Sequence, residues 1–460
     1  MCLIMRREIL ILVLLIVGSS ILTILCIHEG HNWGGDFAQY ISQAKSLVEG
    51  SQDVLLAQNT YAMENSDVII GPYLYPIGFP LLLYPVYYMF GMDLVAMKVF
   101  CAAFFILCLP LIFLLFHPKL SKGSYALFIV AGIGLHESFL LFTDNILTAF
   151  PFLFFLLLSF LLMERSKSLI GQLVLGALIF YTFSIRDIGI ALLPALFVYQ
   201  MAPIVFQLNK ERKSVLFYSA PYLSFASFFM LRIFFTPNSG ESRYDLFSIS
   251  DAYSNFVHYS DLISNYLFDS NLSLIFLIPM WFVIITGMVF RFKRDLHIIS
   301  FLSMVLIIYI FWPFEHVMRF LFPLIPFLLY FLIEGVQYLA KRVNMRHSIW
   351  ILFLIVGLMS FRGVKSSIEF SKVDSNEAYS EEMQDMYQFI SQNVSENELI
   401  GFEKPRVLRL FTDRNAVYQK TNYRTDYLLL RGENNVSGYK GVYSTANYTL
   451  YKRRDAINNL

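Results

Sequence analysis

Charge is scarce in this sequence. Lys, Arg, Asp and Glu make up only 15% of its 460 residues, where a soluble domain carries about a quarter. The shortage is uneven: long apolar runs alternate with short basic clusters, the pattern of many helices crossing lipid. A net charge of +1 supplies no bulk basic field and removes nucleic acid as a partner. Cysteine is rare as well. Cys2, Cys26, Cys101 and Cys108 all lie in or beside apolar segments and the polar C-terminal tail has none, so no disulfide framework is expected. Internal repeats and low-complexity tracts are absent, as are a P-loop, a dinucleotide fingerprint and a soluble-hydrolase serine motif.

What the sequence has instead is hydrophobic length. About 20 apolar residues in a helix cross a bilayer core. Eleven such stretches are expected, near 9–27, 94–116, 123–142, 145–163, 169–185, 188–207, 214–235, 271–290, 296–313, 319–339 and 348–364. The first follows Arg6-Arg7; its core is too long for a signal peptide and lacks a small-residue cleavage pattern, so it reads as an uncleaved helix. Arg6, Arg7, Lys119, Lys122, Arg165, Lys167 and Lys210 then fall on one side, together with Arg291, Lys293, Arg294, Lys341 and Arg342. By the positive-inside rule that side is the cytoplasm. An odd number of spans puts the tail outside the cell membrane and the N-terminus in the cytoplasm. Ile69 to Gly91 is apolar too, but Pro72, Pro76, Pro80 and Pro85 interrupt it and its tyrosines suit a headgroup region, so it is placed at the outer interface.

The expected fold class is thus an all-α polytopic membrane protein of about eleven transmembrane helices with a small C-terminal α/β unit. Residues 1–364 form the membrane unit, including an outer loop, 28–93, with a short amphipathic helix from Asp36 to about Val48. Residues 365–460 form the extracytoplasmic unit: helix Glu377–Val394, strand Glu398–Phe402, the segment Pro405–Arg414, and strands Asn415–Gln419, Asp426–Arg431 and Tyr439–Lys452.

Charges beside spans are informative because lipid penalises them. Asp36, Asp144, Arg186, Asp187, Glu315, His316 and Arg319 all gather at the outer helix ends, a set suited to an anionic ligand and a base. Blander roles exist for each. A lone Asp caps helices, Arg186 and Asp187 can pair with each other, and Arg319 can anchor in headgroups. His28, His31 and Asp36 match no defined metal spacing and read as a solvated loop. His136 and Glu137 lie near the outer end of the third span.

Several of these residues sit in recognisable strings. Gly35-Asp36-Phe37-Ala38-Gln39-Tyr40-Ile41 resembles the first outer loop of GT-C glycosyltransferases, nearest the protein mannosyltransferases and the aminoarabinose lipid A transferase (glycosyltransferase family 39-like). Tyr75-Pro76-Ile77-Gly78 is similar to the family's Tyr-Pro-x-Gly segment, and Phe142-Thr143-Asp144-Asn145 to its second outer-loop aspartate. Ser184-Ile185-Arg186-Asp187 matches the place where members carry a Lys or Arg. Arg319-Phe320-Leu321-Phe322-Pro323 resembles their Arg-Tyr-Leu-x-Pro start to a late helix. The resemblance implies an inverting transfer of a sugar from a polyprenyl-phosphate donor to an acceptor hydroxyl on a glycan, lipid or protein. It implies Asp36 as general base, Asp144 orienting the acceptor or holding an arginine, and Arg186 and Arg319 on the donor phosphate. Tyr40, Tyr75, Glu137, Glu315 and His316 are further substrate-binding candidates. Many relatives carry a second acid after the first-loop aspartate; here Phe37 stands there, so Asp36 is the lone carboxylate of that motif and a divalent metal is left open. A position near the bilayer surface leads to the expectation of a raised Asp36 pKa. A transporter or flippase, and a polymerase or ligase of lipid-linked sugars, are the rival readings.

Overall fold

The computed structural model describes residues 2–207, 213–235, 249–268, 270–312, 317–345, 349–373, 377–419, 424–432 and 436–454. The chain opens with α1 (Cys2–Cys26), α2 (Gly35–Glu49), α3 (Gln52–Glu64), α4 (Gly78–Phe90) and α5 (Leu94–Phe116). It continues through α6 (Ala126–Gly134), α7 (Glu137–Phe142), α8 (Ala149–Arg165), α9 (Leu169–Ile185), α10 (Leu192–Val205) and α11 (Val215–Phe235). The membrane part closes with α12 (Ala252–Leu267), α13 (Ser270–Ile310), α14 (Ile325–Arg342) and α15 (Ile349–Phe370). Five helices in this set are individually long and apolar enough to cross a bilayer, and the shorter apolar helices pack among them. The chain is a multi-pass helical membrane protein.

Every expected span is matched by helix among the described residues, but several differ in form. The stretch at 123–142 is broken: α6 stops at Gly134, and His136 then caps α7 by accepting the Ser138 N–H at 3.0 Å. The stretches at 271–290 and 296–313 are continuous in α13, which bends at Asp295, a residue with non-helical φ −119° and ψ 26°. The sequence suggested a basic loop there. Instead Asp295 is buried and accepts bonds from Lys119 (3.0 Å), Arg291 (2.8 Å) and Tyr330 (2.7 Å), so ion pairs hold the bend. The late span begins with a short 3-10 turn, Met318–Phe320, before α14. By contrast α4 has 13 residues, a rod of about 20 Å that cannot cross a core of about 30 Å.

Side-chain bonds define two ends of the bundle. At one, Glu8 of α1 meets His117 after α5 (3.1 Å), and Lys119 meets Glu164 of α8 (2.7 Å). At the other, the residues after α1 meet the start of α5 and the loop before α8. Among the described residues, the basic Lys119, Arg165 and Arg291 and the candidates Asp36 and Asp144 therefore occupy opposite ends.

The tail forms α16 (Glu381–Asn393), β1 (Ile400–Gly401), α17 (Pro405–Thr412), β2 (Ala416–Val417), β3 (Tyr427–Arg431), β4 (Tyr439–Ser444) and β5 (Tyr448–Arg453). The strand order is β2-β1-β3-β5-β4, with β1 parallel to both neighbours and the rest antiparallel. The expected last strand is thus a hairpin; Glu382 of α16 accepts from Thr445 and Asn447 in its turn and fixes the reversal. The expected first helix starts late because Ser380 caps it through the Met383 N–H. Met383, Met386, Tyr387 and Ile390 of α16 bury against Ile400, Leu429 and Leu450 of the sheet.

Helix pairs in lipid pack closely through small residues. Gly335 of α14 lies on the Val283 carbonyl of α13, and Gly287 lies on that of Phe331, so a Cβ at either would collide with backbone. Gly335→Leu is expected to force α13 and α14 apart; thermal unfolding in detergent should show a midpoint several degrees lower, with Gly357→Leu, in open space, unchanged.

Candidate active site

Asp36 lies in the first turn of α2, and the position of that turn is set by a strap, residues 28–34. The His28 N–H donates to the Asp144 carboxylate at 2.8 Å, and Lys98 donates both to that carboxylate (2.6 Å) and to the His28 carbonyl (3.0 Å). The Lys98 side chain is fully buried and Asp144 is 8% exposed. Further along, the Ile146 N–H donates to His31 Nε2 at 3.2 Å and Asn32 donates to Asn145 at 3.1 Å. This is not the solvated loop that its polar sequence suggested. His31 is buried and stacks on Phe37 at 3.7 Å, and burial lowers its pKa to about 3, so the ring is neutral. With both its nitrogens engaged, His31 is not free for a metal. Among the described residues no three His, Cys, Asp or Glu side chains converge on a metal position.

Tyr75 reaches Asp36 from the segment before α4. Gln43, two turns along α2 from Asp36, accepts the Tyr75 N–H at 2.9 Å and donates to its carbonyl at 3.0 Å. So held, the Tyr75 ring stacks on Tyr40 at 4.6 Å and its hydroxyl donates to Asp36 Oδ1 at 2.6 Å. Arg319 donates to the other oxygen, Oδ2, at 2.6 Å. Burial pushes the Asp36 pKa up, but the Arg319 charge, the Tyr75 and Arg319 hydrogen bonds and the more distant Arg406 outweigh it, and the net shift is down. The expectation of a raised pKa fails because the sequence reveals the bilayer surface but not the cations that fold against it.

Arg186 caps α9 on the facing side. Its guanidinium lies 4.5 Å from the Phe320 ring and 5.5 Å from that of Phe152. Among the described residues it forms no hydrogen bond or ion pair, including none with Asp187. A cation resting on aromatic faces keeps its N–H donors available.

Asp36, Tyr40, Tyr75, Arg186 and Arg319 line one cavity of about 1210 Å³. Its wall continues over Phe180 and Phe183 of α9, Phe228 and Phe229 of α11, and Ile308 and Tyr309 of α13. The space is therefore polar at Asp36 and aromatic along the helices. Two sequence candidates lie elsewhere. Asp144 holds Lys98 rather than an arginine and is absent from the cavity wall; Glu137 accepts from Ser366 of α15 at 2.8 Å. Glu315 and His316 lie outside the described residues. Sequence reasoning missed Lys98, although it is the one charge in the stretch 94–116 and that cost was a usable signal. It also missed Gln43 and Arg406, whose partners are set only by tertiary structure.

No family model and no curated protein matches the chain. Solved structures do. ArnT from Cupriavidus metallidurans bound to undecaprenyl phosphate aligns with a TM-score of 0.61 and 11% identity over 95% of this chain and 97% of that one. Its apo state aligns at 0.58 over the same shares. The archaeal oligosaccharyltransferase AglB from Archaeoglobus fulgidus, in complex with an inhibitory peptide and a dolichol-phosphate, aligns at 0.50 and 12% identity over 90% of this chain and 64% of AglB. The chain thus has the GT-C fold that its motifs resembled. At these identities the likeness is one of fold.

Removing one member of a buried ion pair leaves the other uncompensated at a cost of about 3–5 kcal/mol. Lys98→Met is expected to lower thermal stability accordingly, and Lys98→Met combined with Asp144→Asn to regain part of the loss. A single variant as stable as wild type would show that the pair does not hold the strap.

Proposed function

We propose that the protein is an integral-membrane glycosyltransferase that moves a sugar from a polyprenyl-phosphate donor to an acceptor hydroxyl on the outer face of the membrane, with inversion. The observation that carries this reading is the cavity itself. It sets the Asp36 carboxylate near the Arg186 guanidinium, which among the described residues has no ionic partner, with Asp187 also on the wall and aromatic rings running down the helices. That combination suits a ligand that is part sugar phosphate and part hydrocarbon. The fold shared with ArnT bound to undecaprenyl phosphate supports it, as does the placement of the basic clusters at the other end of the bundle, which by the positive-inside rule is cytoplasmic. Nucleotide sugars are cytoplasmic, so an outer enzyme takes its sugar from a lipid carrier. Residues 1–364 would supply this cavity and 365–460 an extracytoplasmic α/β unit over it.

In the proposed reaction the acceptor oxygen attacks the anomeric carbon, and its proton passes to Asp36. The bond from that carbon to the phosphate oxygen breaks, and the polyprenyl phosphate leaves with the electron pair. Arg186 stabilises the growing negative charge, and Arg319 is shared between Asp36 and the phosphate. In the free protein the Arg319 bond to Asp36 holds the carboxylate as a weak base. A donor phosphate that draws Arg319 away would release Oδ2 and raise its basicity as the acceptor arrives. Tyr75 keeps Oδ1 fixed meanwhile, so only one oxygen is freed. Tyr40 stacks behind Tyr75 and closes that side.

Asp36→Asn is expected to abolish turnover, measured as release of polyprenyl phosphate from a panel of polyprenyl-phosphate hexoses and pentoses, while the protein still purifies folded. Near-normal turnover would remove Asp36 as base, and a wild-type chain that moves every donor across vesicles intact would make it a transporter. Arg186→Ala should weaken binding of undecaprenyl phosphate about tenfold or more, the worth of a charged hydrogen bond, with the acceptor KM little changed; equal effects on both would argue against a phosphate contact.

A further inference from the structure

The tail touches the membrane part at several points. Ala378 N–H donates to the His31 carbonyl at 3.2 Å, Tyr418 exchanges bonds with Ser66 and Asp67, and Lys45 pairs with Asp413 at 2.7 Å. The most unusual contact is made by α17. Its Arg406 is only 5% exposed, yet among the described residues no carboxylate pairs with it, and its Nε is buried without a hydrogen-bond partner. An arginine held this way is costly unless its charge is used.

The surroundings of Arg406 indicate where that charge acts. One Nη donates to the Pro72 carbonyl, and the guanidinium lies 5.6 Å from the centre of the Tyr75 ring. Gly71, at φ +122°, lies against the guanidinium so closely that any Cβ would collide with it; only glycine combines that backbone with that approach. The arginine stem passes Gly35, the residue before Asp36. Arg409, one turn on, donates to Asn59, whose amide donates to the Tyr73 carbonyl at 2.7 Å. The α17 helix thus holds the segment 71–75 at Gly71, Pro72 and the Tyr75 ring, and through Asn59 at Tyr73.

We propose that Arg406 is a positioning residue of the transfer site: through the Pro72 carbonyl and the Tyr75 ring it fixes the hydroxyl that holds Asp36. The α/β tail is then a working part of the site rather than an appended module. The claim rests on Asp36 being the base in the transfer proposed above. The groups acting on Asp36 are Tyr40 from α2, Tyr75 from the segment before α4, Arg186 from the end of α9, Arg319 from the turn before α14, and Arg406 from α17. Arg406 makes no bond to the carboxylate, and it is among the cations that lower the Asp36 pKa.

The test follows Asp36 directly. Carbodiimide labels protonated carboxyl groups, and mass spectrometry of the full-length protein in detergent gives the pH at which Asp36 becomes half-labelled. Arg406→Gln is expected to move that midpoint upward by about half a pH unit or more, and to shift the acid limb of kcat in step with donor KM little changed. Arg409→Gln, which loosens the same segment, should cost stability and leave the midpoint in place. Arg406→Lys keeps a charge but loses the fork to Pro72 and the ring, so it should keep the midpoint near wild type while kcat falls; it carries the test should Arg406→Gln purify poorly. A folded Arg406→Gln protein with the wild-type midpoint overturns the proposal, as does an Arg406→Lys protein whose loss lies in binding of undecaprenyl phosphate alone. Should Asp36→Asn retain turnover while Arg406→Gln moves the midpoint, the base assignment fails and the positioning stands.

Discussion

Everything around the cavity depends on one carboxylate whose two oxygens are already engaged. Asp36 is bonded by a tyrosine 39 residues away on one oxygen and by an arginine 283 residues away on the other. Neither contact is a strong stabiliser, since the Asp36 and Arg319 side chains are 34% and 25% exposed and partly exposed pairs contribute at most about 1 kcal/mol. What they give is direction. The stability lies behind them, in the buried Lys98–Asp144 pair, in Gln43 clasping the Tyr75 backbone, and in α17, whose Arg406 bonds the Pro72 carbonyl. Stiff supports and a lightly held carboxylate suit a group that must exchange partners when substrate arrives.

The cavity joins two chemistries that rarely share a surface. Around Asp36, Arg186 and Arg319 it is charged; along α9 and α11 it is mainly apolar, with Phe180, Phe183, Phe228 and Phe229 on the wall beside Arg232. Arg186 sits at the boundary, with Phe320 and Phe152 beneath its guanidinium. An arginine tolerates this because its charge is delocalised and weakly hydrated, so aromatic faces replace part of its water. A lysine at the same place would lose more. The geometry thus accounts for the choice of cation as well as its position.

The spans were readable in the sequence because lipid imposes length and apolarity, and α5 and α9 run over the expected residues. The breaks were not, because they come from side-chain partners in distant segments. Asp295 bends α13 by gathering Lys119, Arg291 and Tyr330, and nothing local marks it as other than part of a basic loop. The site was half legible. Motif order brought out Asp36, Tyr40, Tyr75, Arg186 and Arg319, and all five line the cavity. Asp144 carried the same kind of signal and turned inward to Lys98, since a carboxylate at a helix junction reads alike whether it faces substrate or a neighbour. Arg406 gave no signal at all: a basic residue in a soluble tail is ordinary until the fold lays it on Tyr75.

The Lys98–Asp144 pair also bears on how the chain enters the bilayer. Lys98 is the fifth residue of α5, and its carboxylate follows 46 residues later, beyond α6 and α7. During synthesis the ammonium group therefore reaches the membrane alone. Its place near the helix end lets it snorkel to the headgroups in the interval. Only when the junction before α8 arrives can it retreat between helices and draw the His28 strap, and with it Asp36, into position. In the order of synthesis, then, the carboxylate that fixes the strap follows the helix that carries its lysine.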